Sequence, residues 1–358
     1  MKTYRHLYPQ VWAFENLYKA YRRARKGKRG KPSVAAFEQQ QEEELFALQN
    51  ELREGVYRPG PYHSFYIHEP KRRLISAAPF RDRVVHHALC QVMEPLWEPR
   101  FIFDSYANRV GKGTHRALDR CTAFARRYPY VLQGDVRQFF PSIDHAILQA
   151  EIGRIIRDPA LMALIASILE SGVGVLSEAY DMVYFPGDDL FALQRPRGLP
   201  IGNLTSQFWA NVYLNPFDHF VKRELKCKAY IRYVDDFLLF AEDKATLHRW
   251  RAAIIQRMAA LRLTLHENRL QVFPVATGIP FLGFRVYPTH RLVKRRKVVH
   301  IRRRLRALSA GYHAGRIPLE RVTASVQGWI NHVRYGNTWG LRRSVLRDVV
   351  LIPPGELQ

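Results

Sequence analysis

Residues 230–240 read Tyr-Ile-Arg-Tyr-Val-Asp-Asp-Phe-Leu-Leu-Phe. Runs of aromatic and aliphatic residues flank the adjacent acids Asp235 and Asp236, and this pattern predicts a tight β-hairpin with both acids at its tip. Neighbouring carboxylates repel each other, so a bound hard cation such as Mg²⁺ is one explanation for a pair that stays ionised. An ordinary polar turn is the other explanation, because Asp is common in turns.

The composition indicates a polyanionic partner. The chain has 358 residues, 47% of them hydrophobic, and its 56 Lys and Arg outnumber its 32 Asp and Glu, which gives a formal charge of +24. Such a basic excess favours nucleic acid as the partner. Cys90, Cys121 and Cys227 lack the spacing of a disulfide framework or a zinc site. No signal peptide or membrane-spanning run is visible, so a soluble cytoplasmic protein is expected.

A third acid follows a predicted strand upstream of the pair. Residues 130–144 begin with the apolar run Tyr-Val-Leu, reach Asp135, and continue through two aromatic residues to a Pro-Ser helix start. Carboxylates that come from separate elements and meet on two cations are typical of two-metal phosphoryl-transfer sites. Asp135 together with Asp235 and Asp236 therefore predicts such a site.

Basic side chains cluster in the N-terminal third. Residues 21–31 continue a helical pattern into a run without acids, which is either a solvated loop or a phosphate-binding segment. The candidate nucleic-acid contacts in this third are Arg25, Lys26, Lys28, Arg29 and Arg109. A second group, Lys71, Arg72 and Arg73, stands at the start of an extended segment. Cations placed there beside a carboxylate cluster would bind a triphosphate.

Four motifs occur in an order that resembles a reverse transcriptase from the fingers through the palm. They are Gly-Asp-Val-Arg-Gln-Phe-Phe at 134–140, Gly-Leu-Pro-Ile-Gly-Asn-Leu-Thr-Ser-Gln at 198–207, Tyr-Val-Asp-Asp at 233–236 and Phe-Leu-Gly-Phe at 281–284. More narrowly, Ile-Gly-x-x-x-Ser-Gln is similar to the reverse transcriptases of diversity-generating retroelements, where most relatives have Gln-Gly-x-x-x-Ser-Pro. The resemblance covers roughly residues 60–345. It strongly favours the metal site over the polar turn.

The resemblance implies an α+β right-hand polymerase fold. It divides the chain into an N-terminal extension with fingers (1–130), a palm (131–290) with a fingers-side insertion at about 146–195, and a short helical thumb (291–358). It also implies that Asp135, Asp235 and Asp236 are the catalytic carboxylates. These acids and the Val136 carbonyl would hold two Mg²⁺ ions, for which Mn²⁺ can substitute.

Several residues match the nucleotide-binding positions of that family. Phe140 matches the aromatic steric gate that leaves no room for a 2′-hydroxyl, so the substrates are expected to be deoxynucleotides. Arg269 falls near the motif that usually supplies a lysine as proton donor to pyrophosphate, a role to which arginine is poorly suited. The expected set is Lys71, Arg72, Arg73, Phe140, Ile201, Gly202, Gln207 and Arg269. Which of the first three contact the triphosphate stays open.

Ile201 stands where relatives have a glutamine that contacts the incoming nucleotide. Isoleucine can only pack, so discrimination between right and wrong base pairs should fall by about 10- to 200-fold. We therefore expect an error-prone enzyme, and the resemblance implies errors opposite template adenines. The alternative is that Ile201 is simply a core residue.

The C-terminal region is strongly basic. Residues 291–306 hold nine Lys and Arg in sixteen positions without an acid, which favours contact with a nucleic-acid backbone over a solvated helix face. The expected contacts are Lys294, Arg295, Arg296, Lys297, Arg302, Arg303 and Arg304. Helices are predicted over 321–347. Trp329 and Trp339 are expected in their core, and the alternative is that they are platforms on which bases stack. The resemblance makes this region the thumb that holds the template–primer duplex.

The sequence thus predicts an RNA-directed DNA polymerase that makes error-prone cDNA from a retroelement's template RNA. The resemblance implies that it binds this RNA, the RNA–cDNA duplex and dNTPs, and that a small, basic, oligomeric accessory protein joins it. Two alternatives stay open. One is a retron-like or antiphage-defence reverse transcriptase, and the other is an RNA-binding scaffold without catalysis.

Overall fold

The computed structural model describes residues 2–68, 72–347, 349 and 351, so Lys71 lies outside the described residues. The helices are α1 (Tyr8–Trp12), α2 (Phe14–Ala24), α3 (Pro32–Gln39), α4 (Gln41–Arg53), α5 (Phe80–Trp97), α6 (Thr114–Ala125), α7 (Phe139–Ser142), α8 (His145–Gly153), α9 (Pro159–Glu170), α10 (Leu204–His219), α11 (Lys244–Ala260), α12 (Arg295–His313), α13 (Leu319–Val333) and α14 (Trp339–Arg347). The strands are β1 (His63–Ile67), β2 (Arg73–Ala77), β3 (Tyr130–Arg137), β4 (Tyr230–Tyr233), β5 (Asp236–Ala241), β6 (Thr264–Leu265), β7 (Gln271–Pro274), β8 (Ile279–Phe281), β9 (Phe284–Val286) and β10 (Arg291–Val293). None of the helices within these described ranges combines the length and apolar character that crossing a membrane requires.

A five-stranded antiparallel sheet carries the acidic motifs. β5 lies between β4 and β3, and both β6 and β7 pair with the other side of β3. Because neighbouring residues of a strand point to opposite faces, β3 and β5 contribute to two cores. Leu132, Phe237 and Leu239 join a core with α5 and α8–α11, whereas Val131 and Leu238 pack with α6 on the other face. The α+β class predicted from the sequence is confirmed.

The N-terminal helices form a block beside this sheet. α2 packs along α5, and Val11, Leu17, Leu45 and Val84 are buried in the shared core. β1 and β2 form an antiparallel hairpin, with β1 exposed along its whole length. β1 of this hairpin therefore faces solvent, whereas β2 is partly buried.

The helices α12–α14 enclose a separate core of Ile301, Leu305, Leu308, Val322 and Val345. Trp329 packs against this core as predicted, but Trp339 is 68% exposed, which contradicts its predicted core position. Residues 291–293, which the sequence grouped with this region, form β10 in an antiparallel sheet with β9 and β8. This small sheet connects the helical region to the central sheet.

Candidate active site

The predicted hairpin is present, with one acid in its turn and the other in a strand. β4 and β5 pair antiparallel up to Tyr233 opposite Asp236, so Val234 and Asp235 form a two-residue turn. Val234 has a φ of 56°, the sign that such turns need and that β-branched residues rarely adopt. The prediction that both acids lie at the tip is therefore corrected, because Asp236 is the first residue of β5.

The register of the central sheet brings the third acid to the same place. Asp135 lies directly opposite Asp236 in the antiparallel pair of β3 with β5. Directly opposed residues have Cβ atoms about 4.5–5.5 Å apart, and like charges in that position repel each other. Asp135 is also 7% exposed, so little water screens its charge.

Burial and repulsion raise the pKa values of both hairpin acids. The pKa of Asp235 rises to about 6, first through burial and then through the charge of Asp135. The pKa of Asp236 rises to about 7 through burial and the charges of Asp135 and Asp235. The positive charges of Arg73 and Arg269 act on Asp235 in the opposite sense. Carboxylates that lie close together despite burial and mutual repulsion are typical of a functional site.

Close packing explains why glycine precedes Asp135. Gly134 is paired with Phe237 across β3 and β5, and a Cβ atom on Gly134 would lie 2.2 Å from the Cζ atom of that phenyl ring. Any side chain at this position would push the ring or the strand aside. The spacing between Asp135 and Asp236 therefore depends on a glycine here.

Arg269 forms an ion pair with Asp135. It ends a short 3-10 turn, Glu267–Arg269, and its guanidinium donates to the Asp135 carboxylate. The backbone supports this contact, since the His266 N–H donates to the Asp135 carbonyl at 2.9 Å. The structure thus places Arg269 on a predicted catalytic acid. Its predicted contact with the nucleotide stays a prediction.

The site contains the type of side chain that binds divalent cations. Three carboxylates from two adjacent strands and a turn supply the oxygen ligands that Mg²⁺ prefers. Across the described ranges, no three His, Cys, Asp or Glu side chains are already gathered around one metal position. Asp135 would have to exchange Arg269 for the cation. Val136, the predicted carbonyl ligand, is buried and paired with Leu265 of β6.

The Gly-Leu-Pro-Ile-Gly segment packs against the N-terminal hairpin. The Ser76 N–H in β2 donates to the Ile201 carbonyl at 2.8 Å. Gly202 has a φ of 122°, and a Cβ atom there would lie 3.0 Å from Ile75 Cγ2, so both conformation and space require glycine. The buried Asn203 side chain donates to the Ser76 carbonyl at 2.9 Å. Ile201 therefore lies at the junction between β2 and α10.

Phe140 and Arg73 lie on the same part of the molecule as the acids. Phe140 is half-buried on α7, just after β3, and its carbonyl accepts a hydrogen bond from the Leu199 N–H at 2.9 Å. This bond joins the predicted gate to the segment that carries Ile201. Arg73 begins β2 and its charge acts on Asp235, whereas the Arg72 guanidinium lies over the Tyr66 ring at 4.0 Å.

Gln207 and Arg109 lie in a different cleft. Both line a cavity of about 810 Å³ between α2, α5 and α10, and the three aspartates are not part of its lining. Only 5% of the Arg109 side chain is exposed, and its guanidinium donates to the Glu98 carboxylate and to the Ile102 carbonyl. Arg109 therefore holds its own loop in place, and its predicted contact with nucleic acid stays a prediction.

An acid on another helix partly neutralises the basic run at residues 21–31. Arg25 and Arg29 both form ion pairs with Glu38 of α3, an acid that the run itself lacks. Lys28 is half-buried, and burial lowers its pKa. Lys26 is exposed. The phosphate-binding prediction for Arg25 is weakened, because its guanidinium is already paired.

The basic residues of the last region begin at the active site. The positive charge of Lys294 opposes the rise in the pKa of Asp236 that burial and the neighbouring acids cause. Lys297 lies over the turn between β8 and β9, where a Cβ atom on Gly283 would be 2.2 Å from Nζ. The predicted contacts Arg295, Arg296, Arg303 and Arg304 are exposed on α12, and Arg302 donates to Ser344 at 2.7 Å. α12 therefore presents one basic surface that starts beside the acids.

The sequence reasoning missed a buried ion pair beneath the hairpin. Arg232 in β4 donates to Asp218 in α10 at 2.6 Å, and neither side chain is more than 1% exposed. An arginine inside an otherwise apolar strand is a signal that could have been noticed. Its partner could not, because Asp218 lies fourteen residues upstream on a helix whose contacts only the fold reveals.

The sequence is similar to known proteins. Residues 67–286 match the family described as reverse transcriptase (RNA-dependent DNA polymerase). Protein YkfC of Escherichia coli strain K12 is 27% identical over 299 residues, which cover 71% of this chain and 72% of YkfC. The group II intron-encoded protein LtrA of Lactococcus lactis subsp. cremoris is 28% identical over 190 residues, which cover 52% of this chain and 29% of LtrA. The chain therefore spans less than a third of LtrA. A structure of apo telomerase from Candida tropicalis, truncated from the C-terminal domain, aligns with a TM-score of 0.47 and 12% identity over 68% of this chain and 59% of that one.

Proposed function

This chain belongs to the reverse transcriptase family of RNA-dependent DNA polymerases, and we propose that it is the error-prone polymerase of a diversity-generating retroelement. It would copy the template RNA of that element into cDNA from dNTPs. The observation that carries the polymerase function is the register of β3 and β5, which sets Asp135 opposite Asp236 and beside Asp235. The retroelement subtype is supported by Ile-Gly-x-x-x-Ser-Gln at residues 201–207.

Chemistry at this site would be two-metal nucleotidyl transfer. The three aspartates, with the Val136 carbonyl, would hold two Mg²⁺ ions, and Mn²⁺ would substitute. Such ions lower the pKa of the attacking primer hydroxyl and stabilise the charge of the transferring phosphoryl group. The protein gathers the carboxylates at one end of β3 and β5. Arg269, once released from Asp135, would supply positive charge for the departing pyrophosphate.

The surrounding residues would bind the remaining substrates. We assign residues 1–130 to the N-terminal extension and fingers, 131–290 to the palm with its insertion at about 146–195, and 291–358 to the thumb. The triphosphate would lie beside β2, where Arg73 faces the acids, and the Phe140 ring would exclude a 2′-hydroxyl. The thumb would hold the RNA–cDNA duplex by its phosphates.

Primer extension on an RNA template with Mg²⁺ and dNTPs tests this function, with Asp235→Ala assayed beside the wild type. The wild type is expected to extend the primer, with errors concentrated at template adenines. Asp235→Ala is expected not to extend it. Faithful extension would keep the polymerase but replace the retroelement subtype with a retron-like enzyme. Absence of extension after native RNA and accessory protein have been added would leave only the scaffold.

The identity of residue 201 is expected to set the error rate. Ile201→Gln restores an amide that can contact the nucleotide, so misincorporation should fall by about 10- to 200-fold when the cDNA is sequenced. Ile75→Val is the matched control, because it removes one methyl group from the residue beside Gly202 without adding a polar group. An error rate that Ile201→Gln leaves unchanged would mean that Ile201 only packs.

The basic surface of α12 is expected to bind nucleic-acid phosphates. Each arginine that contacts a phosphate adds about one to the slope of log affinity against log salt concentration. Arg303→Gln with Arg304→Gln should therefore lower the slope for an RNA–DNA duplex by about two. Arg249→Gln, on the exposed side of α11, is the control and should leave the slope intact. Equal slopes for wild type and the double variant would remove α12 from the interface.

A surface within the insertion supports the proposal that an accessory protein binds this chain. Residues 158–194 contain six acids and no Lys, Arg or His, although the whole chain carries +24. Leu190 is 83% exposed and Phe191 72% exposed, and Leu193 lines an adjoining depression of about 180 Å³ with Val173. Asp181 and Asp188 are paired with Arg137 and Arg195, and Arg195 and Arg197 line the same depression, so the surface is apolar rather than strongly acidic. Exposed apolar side chains favour protein contact. This apolar face therefore suits a protein partner, and we assign it to the accessory protein.

Leu190→Ser with Phe191→Ser is expected to weaken binding of the accessory protein about tenfold or more, because exposed apolar side chains at the centre of an interface carry much of its affinity. Titration calorimetry with the protein encoded in the same element would measure this loss. Val110→Ser removes an apolar side chain that is 93% exposed elsewhere and serves as the control. Unchanged affinity in the double variant would place the partner on another surface.

A further inference from the structure

Arg232 is a charged residue buried within the strand that leads into the catalytic turn. It is 0% exposed, and its neighbours in β4 are aromatic or aliphatic. Its guanidinium donates to both carboxylate oxygens of Asp218 at 2.7 and 2.6 Å and to Asn211 Oδ1 at 3.1 Å. A further bond, at 3.0 Å, goes to the Val234 carbonyl in the turn itself.

The groups that hold this guanidinium are themselves fixed. Asp218 is 0% exposed and also accepts a hydrogen bond from the Tyr230 hydroxyl at 2.7 Å. Asn211, also on α10, donates to the Ala107 carbonyl at 2.9 Å. The orientation of Arg232 is therefore set by a helix and by a loop outside the hairpin.

Stability alone does not account for this arrangement. A buried ion pair can often be replaced by well-packed apolar residues with no loss of stability, or with a gain. Apolar side chains cannot, however, donate a hydrogen bond to the Val234 carbonyl. That carbonyl belongs to a β-branched residue at a φ of 56°, a conformation that needs support from its surroundings.

We propose that Arg232 is a positioning residue that holds the catalytic turn by donating to the Val234 carbonyl, and that Asp218 and Asn211 orient it for this contact. The inference rests on the proposed function, since it names what keeps Asp235 and Asp236 in place as metal ligands. Lysine cannot replace Arg232, because its ammonium is a single point charge and lacks the planar fork that reaches several acceptors at once.

The effect of Arg232 should appear in the affinity for metal. Residues that support metal ligands typically change metal affinity or activity by about 10- to 100-fold when they are replaced. Arg232→Lys is therefore expected to raise the Mn²⁺ dissociation constant of the full chain by about 10- to 100-fold, measured without substrates. The half-saturating Mg²⁺ concentration in primer extension should rise in parallel, while KM for dNTP should change less than about threefold.

A second variant separates positioning from stability. Arg232→Met combined with Asp218→Leu and Tyr230→Phe removes both charges and the hydroxyl that pairs with them, and it refills the space with apolar atoms. Such a replacement should lower the unfolding temperature less than removal of Arg232 alone, because no buried charge is left unpaired, although Asn211 Oδ1 and the Val234 carbonyl lose their donor. It is nevertheless expected to show the same weakening of Mn²⁺ binding as Arg232→Lys, because the Val234 carbonyl has lost its donor.

A matched control tests whether any buried ion pair has this effect. Arg195 pairs with Asp188 at 2.9 Å, with side chains that are 13% and 2% exposed, and its ion-pair partners Asp188 and Asp144 lie outside the turn. Arg195→Lys should lower the unfolding temperature but leave the Mn²⁺ dissociation constant unchanged. If it weakens Mn²⁺ binding as much as Arg232→Lys does, the effect is general loosening and the proposal fails.

The proposal is also overturned if the triple variant folds and binds Mn²⁺ as tightly as the wild type. Since Mn²⁺ binding is measured without primer or template, it reports on Arg232 independently of polymerase activity. A wild-type chain that binds Mn²⁺ but extends no primer would count against the proposed function alone.

Discussion

Asp236→Asn is expected to reduce nucleotide addition by about a thousandfold or more and, at the same time, to make the metal-free protein more stable. Removing one of the carboxylates proposed to bind metal would forfeit several kcal/mol of transition-state stabilisation, and each 1.36 kcal/mol corresponds to about tenfold in rate. The gain in stability has a separate cause. Asp236 lies opposite Asp135 and beside Asp235, and an asparagine there ends the repulsion.

The pH dependence of stability follows from the same carboxylates. Their pKa values are raised from an ordinary value near 3.8 to about 6 for Asp235 and about 7 for Asp236. The folded state then binds protons more tightly than the unfolded chain, so stability in EDTA should fall as pH rises from about 4 to about 7. Asp236→Asn should remove part of this fall. Thermal unfolding across that pH range measures both effects.

A carboxylate with the opposite shift provides the control. The Thr246 N–H donates to Asp243 at 2.7 Å and lowers the pKa of that carboxyl group. At a pH above the pKa that Asp243 has in the unfolded chain, its carboxylate therefore stabilises the folded state. This stabilisation is lost as the pH falls through the lower pKa of Asp243 in the folded protein. Asp243→Asn should bring no gain in stability at pH 8. Equal behaviour of the two variants would show that burial of Asp236 and its repulsion by Asp135 and Asp235 are not the cause.

Phe140→Ala is expected to raise the incorporation of ribonucleotides relative to deoxynucleotides by about 100-fold, the scale on which a pocket can reject one extra hydroxyl by shape. The ring is half-buried on α7, and the Phe140 carbonyl accepts a hydrogen bond from the Leu199 N–H. If Phe140 is the proposed gate, removing its ring would open space for a 2′-hydroxyl. Single-nucleotide addition with matched dNTP and rNTP pairs would measure the ratio.

The neighbouring aromatic residue is the control for Phe140. Phe139 is 3% exposed and its ring centre lies 5.4 Å from that of Phe140. Phe139→Leu should cost about 1 kcal/mol of stability as a core change but leave sugar selectivity as it is. Selectivity that shifts equally in both variants would indicate a general disturbance of α7, and an unchanged ratio in Phe140→Ala would remove it as the gate.

Local sequence patterns predicted the elements that carry the site. The apolar runs on each side of Asp235 and Asp236 predicted the hairpin, and the apolar residues before Asp135 predicted β3, because strand periodicity and turn chemistry depend on near neighbours. The patterns were less accurate for side chains at element ends. Asp236 lies in β5 rather than at the tip, and Trp339 is exposed although its helix was predicted correctly.

The sequence by itself determined the strands and turn that carry the three acids, since each is encoded within a few neighbouring residues, and the order of its motifs implied the α+β class through resemblance to a known family. Only the tertiary structure decided which charges meet. Arg109 forms an ion pair with Glu98, Arg269 with Asp135, and Arg232 with Asp218. These pairs join residues from 11 to 134 positions apart. Electrostatic contacts of this kind depend on distance in space, which follows from strand register and helix packing and leaves no periodic trace in the chain.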